Sequence, residues 1–446
     1  MSAVEYTSLV LSGIIILRAV INFYNLSCSL RWLGARDSYN SIPTTKFYVC
    51  IPALDEQDTV VETIETFMNQ SYPAGLISVY IVTTSKEEKL PGKPSTKDVI
   101  DEYLSHQSDT VKRRVHVVNY PKTDGRMAHQ INYLADRLRA ELSHEDAYFV
   151  VYNADSHIHQ DTLGLTDSII SEQLMRGRDR PTILQQSAVY QYFGKSYIAE
   201  GAGLHQTLWT LTHEIPKLLN QSSKVLKITR SNIAQILRYS RIAHCVGHGL
   251  FVRGDYYNRH HLPQSILNED LPYGLQACAL HEPIYPIPSL ELASTPARIM
   301  SVYRQKSTWF NPFFEFINYG KELVHQKLYV SKLEVFWLLL QAYLSLFIWL
   351  IHSIVLTGGL AMSIFAGWQY IIVWIVALFT YWVIPASIVT HKRRYLANGG
   401  SNSYLSISAG MPYVLTHSVG PFIATYNWLI ASIRGVKPVK RKTDAI

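Results

Sequence analysis

Three groups of polar residues stand where the sequence leaves apolar runs, and each has the types needed for chemistry. The run Tyr148-Phe149-Val150-Val151-Tyr152 passes into Asn153-Ala154-Asp155-Ser156-His157. A carboxylate at the open end of a buried strand can hold a divalent cation against a phosphate-bearing ligand, so Asp155 is the natural metal ligand. His157 could add a nitrogen, which suits manganese better than magnesium, although a lone histidine is more often a satisfied surface residue. Farther on, Asn268-Glu269-Asp270 follows a Gly247-His248-Gly249 turn and the strand-like Leu250-Phe251-Val252-Arg253. A carboxylate there could take the proton from an attacking hydroxyl. The plainer reading is a helix cap, since Leu271 onward has helical character. Asp55 and Glu56 follow an early apolar run through Pro52-Ala53-Leu54 and could accept hydrogen bonds from a base or ribose. Taken alone, they too read as an N-cap.

The elements that would position these residues alternate. Buried-strand patterns occur at Phe47 to Ile51, Ser78 to Thr83, Val115 to Asn119 and Ala147 to Tyr152, and helical spacing at Asp58 to Gln70 and Met127 to Leu142. Strands alternating with helices predict an α/β domain with a mostly parallel sheet and ligands at the carboxyl ends of the strands. Lys86 to Lys97, with Pro91, Gly92 and Pro94, reads as a surface loop.

Hydrophobicity is segregated along the 446 residues: 7–26 and most of 333–390 are apolar over lengths that match a bilayer, whereas 44–310 has the mixture of a soluble domain. Residues 1–43 are expected to be a membrane helix and linker, 44–310 a cytosolic α/β domain, 311–332 an interfacial segment, and 333–446 a membrane region with a basic tail. The 20-residue apolar stretch near the start lacks a basic flank and a cleavage site, so it reads as a retained anchor. The net charge of +7 gathers beside the apolar segments, at Arg31 and Arg36, at His391-Lys392-Arg393-Arg394 and at Lys437 to Lys442. By the positive-inside rule this places the N-terminus outside and the α/β domain on the cytoplasmic face of a plasma or inner membrane, in contact with its lipid. Leu333 to Leu356 is expected to cross outward, Gly358-Gly359 to turn, and 361–389 to return. Residues 404–433, broken by Pro412 and Pro421, read as a re-entrant or interfacial hairpin. Four scattered cysteines form neither a metal motif nor a disulfide framework, and the middle domain has no basic stripe for a nucleic acid.

In this order the pieces resemble the family-2 glycosyltransferases of GT-A fold, in particular the membrane-integrated branch of cellulose, chitin and hyaluronan synthases. Pro52-Ala53-Leu54-Asp55-Glu56 is similar to the family's Pro-x-x-Asn-Glu nucleotide motif. Gly125-Arg126-Met127-Ala128-His129-Gln130-Ile131-Asn132 is similar to its Gly-Lys-x-x-Ala-Leu-Asn segment, Asn153-Ala154-Asp155 to Asp-x-Asp, Glu269-Asp270 to Thr-Glu-Asp, and Gln305-Lys306-Ser307-Thr308-Trp309 to Gln-x-x-Arg-Trp.

The resemblance implies a GT-A domain set between N- and C-terminal transmembrane helices. It implies a nucleotide-sugar donor, a UDP-sugar first, held by Pro52, Asp55, Glu56, Arg126, Asn132, Asn153 and Asp155. Mg²⁺ or Mn²⁺ would sit on Asp155, with His157 as a second ligand, and Asp270 beside Glu269 would be the general base. Gln305, Lys306, Trp309, Arg304 and His248 would address the acceptor and the diphosphate. Direct displacement would invert the anomeric centre, and the acceptor would be a growing polysaccharide or a lipid-linked sugar. The chain departs from the pattern in three places: Val82-Thr83-Thr84-Ser85 stands where a base-reading Asp is expected, Asn153 replaces the first metal-motif Asp, and Thr308 replaces an Arg that would grip phosphate in two places. The rival reading is a membrane scaffold or receptor on a decayed transferase domain.

Overall fold

The computed structural model describes residues 1–35, 42–87, 93–191, 196–222, 241–266, 268–325, 330–396 and 404–435. Arg36, the Lys437 to Lys442 cluster, residues 88–92 of the Lys86 to Lys97 loop, and the side chains of Arg393 and Arg394 lie outside the described residues.

The body is mixed α/β. Seven strands form one sheet in the order β3-β2-β1-β4-β7-β5-β8, comprising β1 (Lys46–Pro52), β2 (Ile77–Thr84), β3 (Val115–Tyr120), β4 (Ala147–Val151), β5 (Ile183–Gln185), β7 (Leu250–Arg253) and β8 (Ile284–Pro286). The first four run parallel, with Cys50 of β1 beside Tyr80 of β2 on one flank and Val151 of β4 on the other. Strand β7 is antiparallel to both β4 and β5, so the sheet is mostly but not wholly parallel. A second sheet of two parallel strands, β6 (Ala188–Gln191) and β9 (Glu291–Ser294), stands apart. Alternate side chains feed a core on each face of the main sheet. Val49, Ile51, Val79 and Ile81 pack with Ile64 and Phe67 of the helix Val60–Met68 on one face, and Cys50, Val82 and Val151 with Ile131 and Leu134 on the other. Parallel strands buried on both faces need this near-continuous apolar composition. All four cysteines are free.

Each strand expected in the first half of the body forms within a residue or two of its pattern. The helix from Met127 stops at Arg137 and a short one resumes at Arg139–Leu142, so the expected single helix is broken at Leu138. Neither Asp55 nor Glu56 caps the helix Val60–Met68, whose N-cap is Thr59. Asp55 instead has φ of 55°, a left-handed conformation that Asp tolerates better than most residues.

Three helices among the described residues are long and apolar enough to cross a membrane: Ala3–Gly34, Lys332–Ala366 and Trp368–Lys392. The expected turn at Gly358-Gly359 does not occur. The helix Lys332–Ala366 runs through it and the chain turns at Gly367, whose φ of 120° requires glycine. Membrane helices accept glycine, and Gly359 serves contact: a Cβ there would stand 2.2 Å from the ring of the buried Trp374. The 404–433 region forms two helices, Leu405–Thr416 and Val419–Ile433. The first lies on the helix Tyr197–Trp209, with Gly201 against the Gly410 backbone, and the second on Ile299–Phe310, with Gly420 against Lys306. A π-helical turn, Thr210–Glu214, continues Tyr197–Trp209 into Ile215–Ser222.

Candidate active site

A cavity of about 650 Å³ lies beyond the carboxyl end of β4 and reaches down among the apolar helices. Asn153, Asp155, His248, Glu269, Asp270, Gln305 and Trp309, drawn from segments up to 156 residues apart, all line it.

After β4 the chain makes a turn in which the Asn153 amide donates to Ser156 Oγ at 3.1 Å, and this turn presents Asp155. The side chain is open to the cavity, but the surrounding protein and then the nearby Glu291 carboxylate raise its pKa, against weaker pulls from His248 and His157. Across the cavity, Asp270 opens the helix Asp270–Ala279, where the positive end of the helix favours an ionised carboxylate. The Asn268 side-chain amide donates to the Thr308 carbonyl at 3.0 Å and so ties this helix start to Ile299–Phe310, which carries Gln305 and Trp309. Gly247 closes over Asp270: a Cβ on it would stand 3.4 Å from Asp270 Oδ2. Glu269 is buried at 3% exposure.

His248 pairs through Nδ1 with Glu291 Oε2 at 2.6 Å. Burial alone would lower the imidazole pKa. Contact with Glu291, helped by Glu214 and Asp155, outweighs burial and lifts it to about 9, so His248 is a fixed cation at neutral pH. Glu291 is held there as the first residue of β9 in the small sheet. The neighbouring strand of that sheet supplies Tyr190, whose ring meets Trp309 edge-on at 6.3 Å between centroids. Behind the indole, Lys306 Nζ lies 3.8 Å from the ring centroid and donates to Gln206 Oε1. Burial holds that ammonium well below the usual lysine range, and the π face and the amide oxygen offset part of the cost.

Scans against family models and curated proteins give no match. Among solved structures, the mannosyltransferase PcManGT from Pyrobaculum calidifontis in complex with GDP-Man and Mn²⁺ is similar at 14% identity and a TM-score of 0.44, over 86% of this chain and 98% of that one. S. aureus TarS 1-349 in complex with UDP-GlcNAc is similar at 13% identity and a TM-score of 0.40, over 88% and 93%. Both likenesses are distant.

The remaining expected site residues lie off the cavity lining. Pro52 is buried at the end of β1, Asp55 is exposed, and Glu56 accepts from the Thr59 hydroxyl at 3.3 Å. Arg126, exposed, is the N-cap of the helix Met127–Arg137, with its amide donating to His129 Nδ1 at 3.2 Å. Asn132 is buried and fully engaged inside the body: its amide donates to the Leu262 carbonyl at 2.8 Å, and its oxygen accepts from Tyr257 at 2.7 Å. Arg304 is exposed on the same helix as Trp309. His157 turns to Glu62, 3.7 Å away.

Other lining residues were not singled out from the sequence, among them Glu291, Glu214, Tyr190, His213, Lys217 and Arg18. One of them carries a sequence signal. Arg18 is a charge inside the apolar run 7–26, and a cation at membrane depth faces a cavity or a partner by default.

Proposed function

We propose that this chain is a membrane-embedded glycosyltransferase that moves a sugar, with inversion, from a nucleoside-diphosphate donor to a growing polysaccharide or a lipid-linked acceptor. The observation that carries the reading is the single cavity lined by Asp155 at the end of β4, Asp270 at a helix start, the His248 cation and the Trp309 indole. A soluble-type body with three helices fit to cross a bilayer supports a cytoplasmic active site on a membrane anchor.

Asp155 and the Asn153 side-chain oxygen are hard donors of the kind Mg²⁺ or Mn²⁺ prefers, and a cation that takes its other oxygens from water and phosphate needs only one or two protein carboxylates. Burial first and Glu291 second disfavour the Asp155 charge, and such a cation would offset both. Among the described residues no three His, Cys, Asp or Glu side chains are grouped to hold a metal by themselves. When bound, the cation offsets the charge of the donor diphosphate.

Asp270 takes the proton of the acceptor hydroxyl as its oxygen bonds to the anomeric carbon. The bond from that carbon to the diphosphate breaks on the opposite side, and the diphosphate leaves with the electron pair. His248, a cation fixed by Glu291, stabilises the negative charge that gathers on the leaving group. Trp309 offers a flat apolar face to the sugar ring.

Purified full-length protein, assayed for nucleotide release from a panel of UDP- and GDP-sugars with membrane lipid extract as acceptor, tests this. Mg²⁺ or Mn²⁺ should be required, and Asp270→Asn should lower turnover by about 10²–10⁴-fold while donor binding persists. Turnover near the wild-type rate in Asp270→Asn would remove the base assignment, and absence of release with every donor would favour the scaffold reading.

A further inference from the structure

The membrane side of the cavity is built differently from the Asp155 side. Arg18 and Asn22, one helical turn apart on Ala3–Gly34, both face it. Arg18 meets the His213 ring at Nε2, and Asn22 Oδ1 is buried without a hydrogen-bond partner. Lys217 and His244 line the same region, and His244 Nδ1 is likewise buried and unpartnered. Neither Arg18 nor Lys217 is within ion-pair distance of a carboxylate among the described residues. The acids nearby have partners of their own: Glu214 accepts from Ser187 Oγ at 2.6 Å, and Glu291 holds His248. Burial, with Arg18 and Lys217 close by, keeps His213 well below its usual pKa; its Nε2 accepts from Arg18 and its Nδ1 meets the Thr212 hydroxyl at 2.7 Å, so the ring fixes the guanidinium in place.

Burial lowers the Lys217 pKa, and an uncompensated guanidinium such as Arg18 at this depth is costly unless something anionic visits it. The adjoining wall is apolar. Leu208, Leu346, Ile348 and Trp349 border the same cavity, and Ile348 is an exposed residue of the helix Lys332–Ala366. A charged head at Arg18 with a hydrocarbon tail along that wall fits both halves.

We infer that Arg18, Lys217 and His244, with His213 positioning Arg18, form a phosphoryl-binding site whose occupant is the phosphate of a phosphorylated lipid, with a free phosphate anion the other source of the same chemistry. In the proposed transferase, on which the word acceptor rests, this makes the acceptor an anionic lipid whose head reaches the cavity from the membrane.

The test needs no donor and no turnover. Detergent-purified full-length protein is titrated with a short-chain prenyl phosphate, the matching prenyl alcohol, and inorganic phosphate or pyrophosphate, and binding is read by tryptophan fluorescence and melting temperature. The prenyl phosphate should bind saturably and the alcohol at least about tenfold more weakly, the weight of one charge-assisted contact. Arg18→Gln should weaken the phosphate by about tenfold or more, and Arg18→Lys should restore most of it while melting like wild type. Inorganic phosphate binding as tightly as the prenyl phosphate, and lost in Arg18→Gln, would keep the anion site and assign it to the free ion. Alcohol and phosphate binding equally, or Arg18→Gln binding undiminished with a wild-type melt, overturns the site. Because no sugar donor is present, a missing transferase activity leaves this result standing, and a failed titration leaves the Asp270 chemistry standing.

Discussion

The His248–Glu291 pair makes the pH response of this protein calculable. The folded-state pKa of His248 is raised to about 9, against roughly 6.5 for an unperturbed histidine. A raised pKa means that the native state binds the proton more tightly than the unfolded chain does. The added stability is therefore complete below pH ~6.5 and is lost as pH rises through ~9. The histidine side chain is only 13% exposed, so solvent screening removes little, and the gap corresponds to about 3 kcal/mol. With an unfolding entropy of about 2.1 cal/mol/K per residue over 446 residues, that free energy amounts to a fall in melting temperature of roughly 3 °C between pH 6.5 and pH 9.5. Glu291→Gln removes the charge that holds the proton, leaving burial to keep His248 neutral, and should flatten the melting curve across this window. The assay is tryptophan-monitored melting of detergent-purified wild type and Glu291→Gln at half-unit pH steps, in parallel with the alkaline limb of kcat/KM. The limb should fall near pH 9 in the wild type and move to lower pH in the variant. If Glu291→Gln kept the wild-type slope of melting temperature with pH, His248 would not be the titrating group and its role as a fixed cation would fall.

Two further outcomes follow from packing. Gly410→Val would push a side chain into the Trp382 ring, 2.5 Å from the Cβ position, and toward the Gly201 backbone; it should cost more than about 3 kcal/mol, read as loss of the monodisperse peak in size-exclusion chromatography. Asn132→Ala would orphan the buried Tyr257 hydroxyl and the Leu262 carbonyl, and should destabilise by about 2–4 kcal/mol in chemical unfolding, with nucleotide-sugar affinity unchanged in the fraction that stays folded.

The strands β1 to β4 were legible because each is an unbroken run of β-branched and aromatic residues closed by turn chemistry, and Asp155 was legible because it sits where the fourth run ends. Strands β5, β6, β8 and β9 were not. They are only 3 or 4 residues long, and Gln185, Gln191 and Glu291 interrupt the apolar pattern of three of them, while Pro286 ends the fourth after two residues. Glu291 was therefore invisible as the partner of His248, 43 residues away, since only the fold brings β9 to that turn. Gly358-Gly359 misled for a different reason: in water a glycine pair marks a turn, whereas inside an apolar helix it marks a place where another helix comes close. Asn132 matched a binding pattern and turned out to be engaged as an internal tie, which spacing alone does not distinguish from a ligand contact.

The wide turn at Thr210–Glu214 sets which side chains reach the cavity. In a π turn the backbone hydrogen bonds span five residues instead of four, so the helix takes up one residue more than α spacing allows. His213 meets Arg18 and Glu214 meets Ser187 at this turn, so its spacing carries both polar contacts into the interior. Deleting a single residue between 210 and 214 should return the turn to α spacing and pull at least one of those contacts out of register.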